Sequence, residues 1–403
     1  MDLILIIVRL IEIIVFVYLG FASCYILVFS IVGLFPYRVK QAESQVKRKI
    51  AVLIPGYKED TVILEVARHA LKQDYPKESY DVIVIADSFQ NETVDLLNSL
   101  PIKVVEVSFE KSTKSKALNA AMEAIGDSYE IAVILDADNL MENGFLRKIN
   151  DSFENGFMVV QGHRKAKNMN NNLALLDTVS EEINNHIFRK GHRVVGLSSA
   201  LIGSGMAFEY EFFKKTMKEI RAIGGFDKEL ELTLLKAGVK IEYLVDAIVL
   251  DEKVQKEAVF ENQRRRWISA QLIYFRRYAW DGLKQFIVRF NVDYFDKVYQ
   301  MILPPRILLL GLLSILTMFA GILLLVDPIW TNNTFIISFG NWLLIWLFTV
   351  AAMLLAIPRK LYSSRTLSAL LTLPRGFWLM VRSLLRVKNA NKSFIHTRHG
   401  IDP

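Results

Sequence analysis

Three uncharged apolar runs constrain this chain more than any other feature: residues 13–35, 307–326 and 335–357. Each is long enough, as a helix, to cross the roughly 30 Å of hydrocarbon in a bilayer. The first is too long for the core of a signal peptide, and no small-residue cleavage site follows it. Arg38, Lys40, Lys47, Arg48 and Lys49 come after the first run, and Arg359 and Lys360 after the third. The connection at 327–334 carries no Lys or Arg. Positive charge stays on the cytoplasmic side. The expected topology therefore puts the N-terminus outside and residues 36–306 and the C-terminus inside, in the inner or plasma membrane of the cell.

The long segment between the first two runs has a different character. Hydrophobic residues make up 52% of the chain and charged residues 23%. That mixture suits a soluble domain joined to membrane spans. Cys24 is the one cysteine, which excludes an intrachain disulfide and a Cys-rich metal site. "IAVLIPG" at 50–56, "YDVIVIAD" at 80–87, "IKVVEV" at 102–107 and "EIAVILDAD" at 130–138 read as strands. Helix-like segments, such as 61–72 and 114–125, fall between them. Strands alternating with helices imply an α/β, Rossmann-like fold with a mostly parallel sheet, whose ligands bind at the carboxyl ends of the strands. Two flanking stretches, 268–303 and 366–388, mix aromatic and aliphatic residues with arginines and read as amphipathic helices lying in the membrane interface. A fourth span at 366–386 would bury arginines at a cost of several kcal/mol and is disfavoured.

The strand ends carry the chemistry. The first runs into "IPGYKED", the second ends in Asp87, and the fourth ends in Asp136 and Asp138. An aspartate after a strand is often only a helix cap. Two carboxylates two residues apart offer hard oxygen ligands for Mg²⁺ or Mn²⁺, a metal that completes its shell with phosphate oxygens and water. No GxxxxGK[ST] loop is present, so ATP hydrolysis of that type has no support. "KSTKSKALNAA" at 111–121 sets lysines at a helix start, which favours an anion or is simply a solvated helix end. His163, His186 and His192 have no partner spacing and receive no role. The net charge of +7 is compatible with nucleic acid, anionic lipid or phosphorylated small molecules. The basic residues flank membrane segments and are not interleaved with an aromatic platform, which argues against nucleic acid.

"ENQRRRW" at 261–267 has two readings. A basic stretch beside a membrane gains roughly 1 kcal/mol per cation from anionic lipid. Alternatively, Gln263 and Trp267, four apart, share one helix face. That face would set a flat apolar ring and an amide beside permanent cations whose geometry suits phosphate.

Together these motifs resemble the membrane-embedded, GT-A-fold glycosyltransferases of family 2, which include the cellulose, chitin and hyaluronan synthases. The resemblance covers roughly residues 48–270, with the domain itself at 48–267: a first Asp (Asp87), a D-x-D (Asp136, Asp138), a later acidic base and Q-x-x-R-W (Gln263, Arg266, Trp267). It implies that Pro55, Tyr57 and Glu59, with Asp87, hold the nucleotide of a sugar donor, and that Lys114 of "KSKALN" sits nearby. It implies that Asp136 and Asp138 position the sugar diphosphate and its metal, with Asp138 the direct ligand. Arg264 falls on the donor diphosphate, and Gly203, Ser204 and Gly205 of "IGSGMAF" on the acceptor side, along with Trp267. For the base, "GGFDKELELTLLKAG" aligned without gaps to Gly238 puts Asp227 on the family's Asp and Phe226 on its Glu; Glu229 and Glu231 remain alternatives.

The reading that results is an inverting, metal-dependent glycosyltransferase, with Asp227, Gln263, Arg266 and Trp267 as candidate catalytic residues. The expected donor is a UDP-sugar and the expected acceptor a growing polysaccharide, with a lipid or lipid-linked acceptor as the alternative. Only two apolar runs follow the domain, so an oligomer or an export partner would have to complete any translocation path. A non-catalytic scaffold has no chemical need for an intact D-x-D and Q-x-x-R-W. A transporter would need intramembrane acids that these runs lack.

Overall fold

The computed structural model describes residues 3–39, 44–222 and 224–386. Lys40 and the tail from 387 to 403 lie outside the described residues. A long apolar helix, α1 (Leu3–Val32), precedes the domain. The first half of the domain alternates strand and helix: β1 (Ile50–Tyr57), α2 (Ile63–Ala70), β2 (Tyr80–Asp87), α3 (Asn91–Asn98), β3 (Lys103–Val107), α4 (Lys114–Ile125) and β4 (Ile131–Ile134). The second half is less regular: β5 (Leu140–Met141), α5 (Phe145–Glu154), β6 (Val159–Ala166), α6 (Asn172–Asn184), then a π-helical stretch Asn185–Gly191 running into α7 (His192–Val194). β7 (Met206–Glu209), α8 (Tyr210–Met217), α9 (Phe226–Lys236) and β8 (Glu242–Asp251) complete it.

The eight strands form one sheet in the order β3-β2-β1-β4-β7-β6-β8-β5. β3, β2, β1 and β4 are parallel, as are β6 and β8; β7 runs antiparallel to both its neighbours, and β5 antiparallel to β8. This is the mostly parallel sheet of the GT-A type. The β1 sequence is apolar on both faces because helices cover both faces. Ala51 and Leu53 enter one core with Ile83, Ile85 and Leu118, while Ile50, Val52 and Ile54 enter the other with Val82, Val84 and Ile63. Each such side chain contributes on the order of 1.5–3 kcal/mol when fully buried.

The sequence places the fourth strand at 130–138, but β4 ends at Ile134. Asp136 leaves the ladder because its amide donates to Ser204 Oγ at 2.9 Å rather than to a neighbouring strand. Strands β5 to β8 were not singled out from the sequence. β6 ends in the polar "HRKA" and β7 has four residues, so neither shows a clean periodic pattern.

After the domain come α10 (Glu257–Arg289), α11 (Val292–Gln300), α12 (Arg306–Val326), α13 (Pro328–Thr334), α14 (Phe339–Ala356), α15 (Ser364–Leu370) and α16 (Leu373–Leu385). Among the described residues α1, α12 and α14 are the helices long and apolar enough to cross a membrane. They pack on one another through Leu19, Ala22, Ile26, Leu309, Leu313, Trp342, Ile345 and Ala352. α1 begins ahead of the uncharged run, and its first turns meet the connection between α13 and α14. There the Glu12 carboxylate accepts from the Ile336 and Ile337 amides at 2.9 and 3.1 Å, and Arg9 Nε donates to Thr334 O at 3.2 Å. This end of α1 and that connection therefore lie on the same side. Toward the other end, Tyr25 donates to Asp296 Oδ1 at 2.7 Å and lies 2.9 Å from His192 Nε2, while the His192 ring stacks on Phe29 at 3.8 Å. His192, one of the three histidines given no role from the sequence, thus ties α1 to the domain.

Residues 268–303 continue α10 without a break and then form α11. Their inner face, with Ala270, Tyr274, Tyr294 and Val298, belongs to one of the two domain cores. The outer face leaves Trp280, Ile287, Val288 and Phe290 exposed. In α16 the arginines turn toward α10: Arg375 pairs with Glu257 at 2.9 Å, and Arg386, just past the helix end, with Glu261 at 3.2 Å. These pairs clamp α16 over the start of the helix that carries "QRRRW".

Candidate active site

A cavity of about 1210 Å³ opens at the carboxyl ends of β1, β2 and β4. Pro55, Tyr57 and Glu59 line it from the end of β1 and the loop after it, Asp87 from the end of β2, and Asp136 and Asp138 from the loop after β4. Tyr57 and Asp87 are register partners at the last rung of the β1–β2 ladder. The chain turns sharply just beyond, with Lys58 and Ser88 at φ of 54° and 60°. That conformation costs free energy for a residue with a Cβ. The Lys58 amide donates to Asp87 O at 3.1 Å, and Ser88 Oγ to Asp87 Oδ1 at 3.0 Å. Asp87, Asp138 and Glu59 are buried, in keeping with acids that face a ligand rather than bulk water.

Lys114 opens α4, whose N-cap Thr113 accepts from the Lys116 amide. The Lys114 ammonium forms an ion pair with Asp136 and donates to Gly203 O at 2.7 Å, beneath the Phe226 ring at 5.2 Å. Of the three lysines in "KSTKSK", Lys114 lines the cavity; Lys116 instead reaches back to Lys111 O. Gly203 sits at φ 84°, a conformation that side chains rarely adopt, and a Cβ there would only touch Asp227 Cγ, at 3.8 Å.

Helix α9 gives the three acids different surroundings. Its N-cap is Gly225 and no side chain caps it, so Asp227, the second helical residue, is not held as a cap. Asp227 lines the cavity. Glu229 instead pairs with Arg277 at 2.8 Å, and Glu231 with Lys297 at 2.6 Å. Burial pushes the Glu231 carboxyl up and the Lys297 ammonium down, as expected for charges removed from water.

Gln263, Arg264, Arg266 and Trp267 all reach the cavity from the first turns of α10. Gln263 Oε1 is buried without a hydrogen-bond partner among the described residues. Arg264 forms an ion pair with Asp177 and lies between the Phe260 and Trp267 rings, at 4.6 and 4.3 Å. It therefore props one face of the indole. Burial lowers the Arg266 guanidinium.

A family model described as glycosyltransferase like family 2 matches residues 47–270. The chain belongs to that family. Probable glycosyltransferase YdaM of Bacillus subtilis (strain 168) is 26% identical over 243 residues, 54% of this chain and 54% of that protein. Poly(ribitol-phosphate) beta-N-acetylglucosaminyltransferase TarS of Staphylococcus aureus (strain Mu50 / ATCC 700699) is 25% identical over 103 residues, 25% of this chain and 18% of its own. The chain thus spans about half, or much less, of the length of these curated relatives. In fold it is similar to mannosyltransferase PcManGT of Pyrobaculum calidifontis, solved with GDP-Man and Mn2+. The TM-score is 0.54 at 15% identity, with 86% of this chain and 98% of that one covered.

In this family-2 glycosyltransferase two expected acceptor residues take other places. Ser204 and Gly205 do not line the cavity. Ser204 is fully buried, and its hydroxyl accepts from the Asp136 amide while donating to Asn139 Oδ1 at 2.6 Å. It is committed to shaping the D-x-D loop. The Gly205 amide donates to Ile134 O, which seats the start of β7 against β4.

The sequence reading missed the polar wall opposite. Glu181 pairs with Arg164 at 2.9 Å and Arg189 at 3.2 Å, and Asp251 with Lys253 at 2.7 Å. Asp251 also accepts from Asn139 Nδ2 at 3.2 Å, which extends the Ser204–Asn139 chain. Burial alone would raise the Glu181 carboxyl, but Arg164, Lys253 and Arg189 outweigh it and hold the group well below the usual carboxylate range. One signal was available: Asp177, Ser180, Glu181 and Asn184 recur at helical spacing along α6, a polar stripe along one side of the helix.

Proposed function

We propose that this glycosyltransferase moves a sugar, with inversion, from a UDP-sugar to an acceptor hydroxyl delivered at the cytoplasmic face of the inner or plasma membrane. The observation that carries the reading is a single cavity that joins the β1–β2–β4 strand ends to Asp227 and to the Gln263–Trp267 face. Pro55, Tyr57, Glu59 and Asp87 hold the nucleotide. Asp227 takes the proton from the acceptor hydroxyl, whose oxygen attacks the anomeric carbon. The bond to the diphosphate breaks on the opposite side, and Lys114, Arg264 and Arg266 face the charge that develops there. Trp267 and Gln263 orient the acceptor.

The donor set suits Mg²⁺ or Mn²⁺. No group of three or more His, Cys, Asp or Glu that could hold a metal occurs among the described residues. Two cavity-lining carboxylates with remaining positions open match a cation that shares its shell with a diphosphate. By the resemblance Asp138 would be the direct ligand, beside an Asp136 that pairs with Lys114. The metal would supply charge neutralisation for the leaving diphosphate.

The cavity also continues past α10 among the apolar helices α12, α14 and α16. That continuity favours a lipid-linked acceptor over the free end of a polysaccharide. Export of a polymer would call for an oligomer or a membrane partner. The test is the purified full chain with a panel of nucleotide-sugars, reading nucleoside diphosphate release with and without Mn²⁺. Metal-stimulated release from one donor is expected. Nucleotide binding without release from any donor, in the presence of lipid extracts, would favour a non-catalytic scaffold.

A further inference from the structure

The polar and apolar ends of the cavity meet at Arg306, the first residue of α12. The apolar end is a groove between α12, α14 and α16, walled by Leu310, Ile315, Met353 and Phe377. Gly311 keeps the groove's side wall closed, since a Cβ there would collide with the Phe377 ring. Among the described residues the Arg306 guanidinium donates only to neutral groups: Asn184 Oδ1 at 2.5 Å, Ser180 O at 2.9 Å and Ser180 Oγ at 3.0 Å. The neighbouring carboxylates are already engaged. Glu181 serves Arg164, Arg189 and Lys253; Asp251 serves Arg164 and Lys253; Asp177 serves Arg264. Four cations thus share these three carboxylates, and Arg306, a fifth, makes no ion pair among the described residues.

A guanidinium drawn out of water needs a counter-charge. Its fork matches phosphate oxygens two at a time. An occupant that fits the whole groove carries an apolar chain with a phosphate where the chain ends. We propose that Arg306, oriented by Ser180 and Asn184, binds the phosphate of a lipid phosphate or lipid diphosphate whose chain occupies the α12–α14–α16 groove. This deepens the lipid-linked reading above and rests on it. The donor diphosphate has its own cation in Lys114. The acceptor's phosphate would fix the depth of the lipid, so that its sugar-accepting end lies toward Asp227 and Trp267.

The test titrates the full chain, in nanodiscs of neutral phosphatidylcholine, with dodecyl phosphate. Saturable binding is expected, and Arg306→Gln should weaken it about tenfold or more. Arg306→Lys should keep part of the affinity. Leu310→Trp retains the cation but narrows the groove, and should also weaken binding. Nucleoside diphosphate binding, measured in parallel, reports whether each variant is folded. Dodecanol and inorganic phosphate, each half of the ligand, should compete poorly. Wild-type affinity in folded Arg306→Gln or in folded Leu310→Trp would overturn the proposal. So would inorganic phosphate competing as well as dodecyl phosphate, which means a free anion site, or phosphatidylglycerol displacing it at equal concentration, which means a bystander headgroup. Arg306-dependent binding in a chain that turns over no nucleotide-sugar would remove the transferase reading instead and leave the phosphate site standing.

Discussion

Replacing Asp227 by Asn separates the proposed base from every structural duty the position carries. The side chain caps no helix. The fold therefore loses only the attraction between a first-turn carboxylate and the helix N-terminus, about 0.3–1 kcal/mol. Loss of a general base lowers transfer by about 100-fold or more, or roughly 2.7 kcal/mol of barrier at about 1.36 kcal/mol per decade. Nucleotide binding should hold, because the β1 and β2 strand-end residues are untouched. The two neighbouring acids are the internal controls. Glu229→Gln breaks a pair with the half-exposed Arg277. Glu229 itself is buried, but Arg277 can be solvated once the pair is broken, so the variant should leave transfer near wild type. Glu231→Gln strands the buried Lys297. The cost is about 3–5 kcal/mol, so its loss of activity would accompany loss of fold. The assay is nucleoside diphosphate release by the full chain in detergent, with donor affinity measured separately by titration. A fully active Asp227→Asn beside an inactive, folded Glu229→Gln would refute the reasoning. Loss of nucleotide affinity in Asp227→Asn as large as the loss of rate would move Asp227 to the donor side.

Asp138→Asn should abolish donor turnover and weaken metal-dependent nucleotide binding, and wild-type activity in excess EDTA would count against the metal. Trp267→Ala should reduce transfer far more than donor binding. Arg266→Ala should raise the barrier by about 3 kcal/mol, as for other preorganised charge stabilisers; full activity of both variants in detergent would return "QRRRW" to a lipid-binding role. Glu181 titrates lower in the folded chain than its ordinary value of 4.5, so its contribution is present above that pH and is lost as pH falls below it. Glu181→Gln leaves Arg164, Arg189 and Lys253 undercompensated. It should destabilise the domain by about 3–5 kcal/mol at neutral pH. Its denaturant midpoint should then change less than wild type as pH falls below the ordinary carboxylate range; an unchanged acid dependence would contradict the depressed carboxyl.

Much of this protein is determined by sequence alone, because the decisive terms are local. An uncharged run long enough to cross a bilayer is a helix wherever it goes, since its backbone must bond within itself. β1 and β2 lie close to where their buried apolar stretches fall, and α4 runs Lys114–Ile125, the expected limits. The i, i+4 spacing of Gln263 and Trp267 needs only a helix to bring both to one cavity. Tertiary structure decided what depends on distant segments meeting. Asp227, Glu229 and Glu231 are equivalent as residue types; Arg277 and Lys297, from helices further along the chain, leave Asp227 facing the cavity. Ser204 looks like a ligand residue in a small-residue loop, yet β7 inserts beside β4 and turns its hydroxyl under the D-x-D. Arg306 reads in the sequence as the basic edge of an apolar run. It becomes a cation awaiting an anion only because α6 offers it an amide and a serine while its acids are bound elsewhere. Such assignments follow from which partner is nearest in space, and one-dimensional spacing carries no record of that.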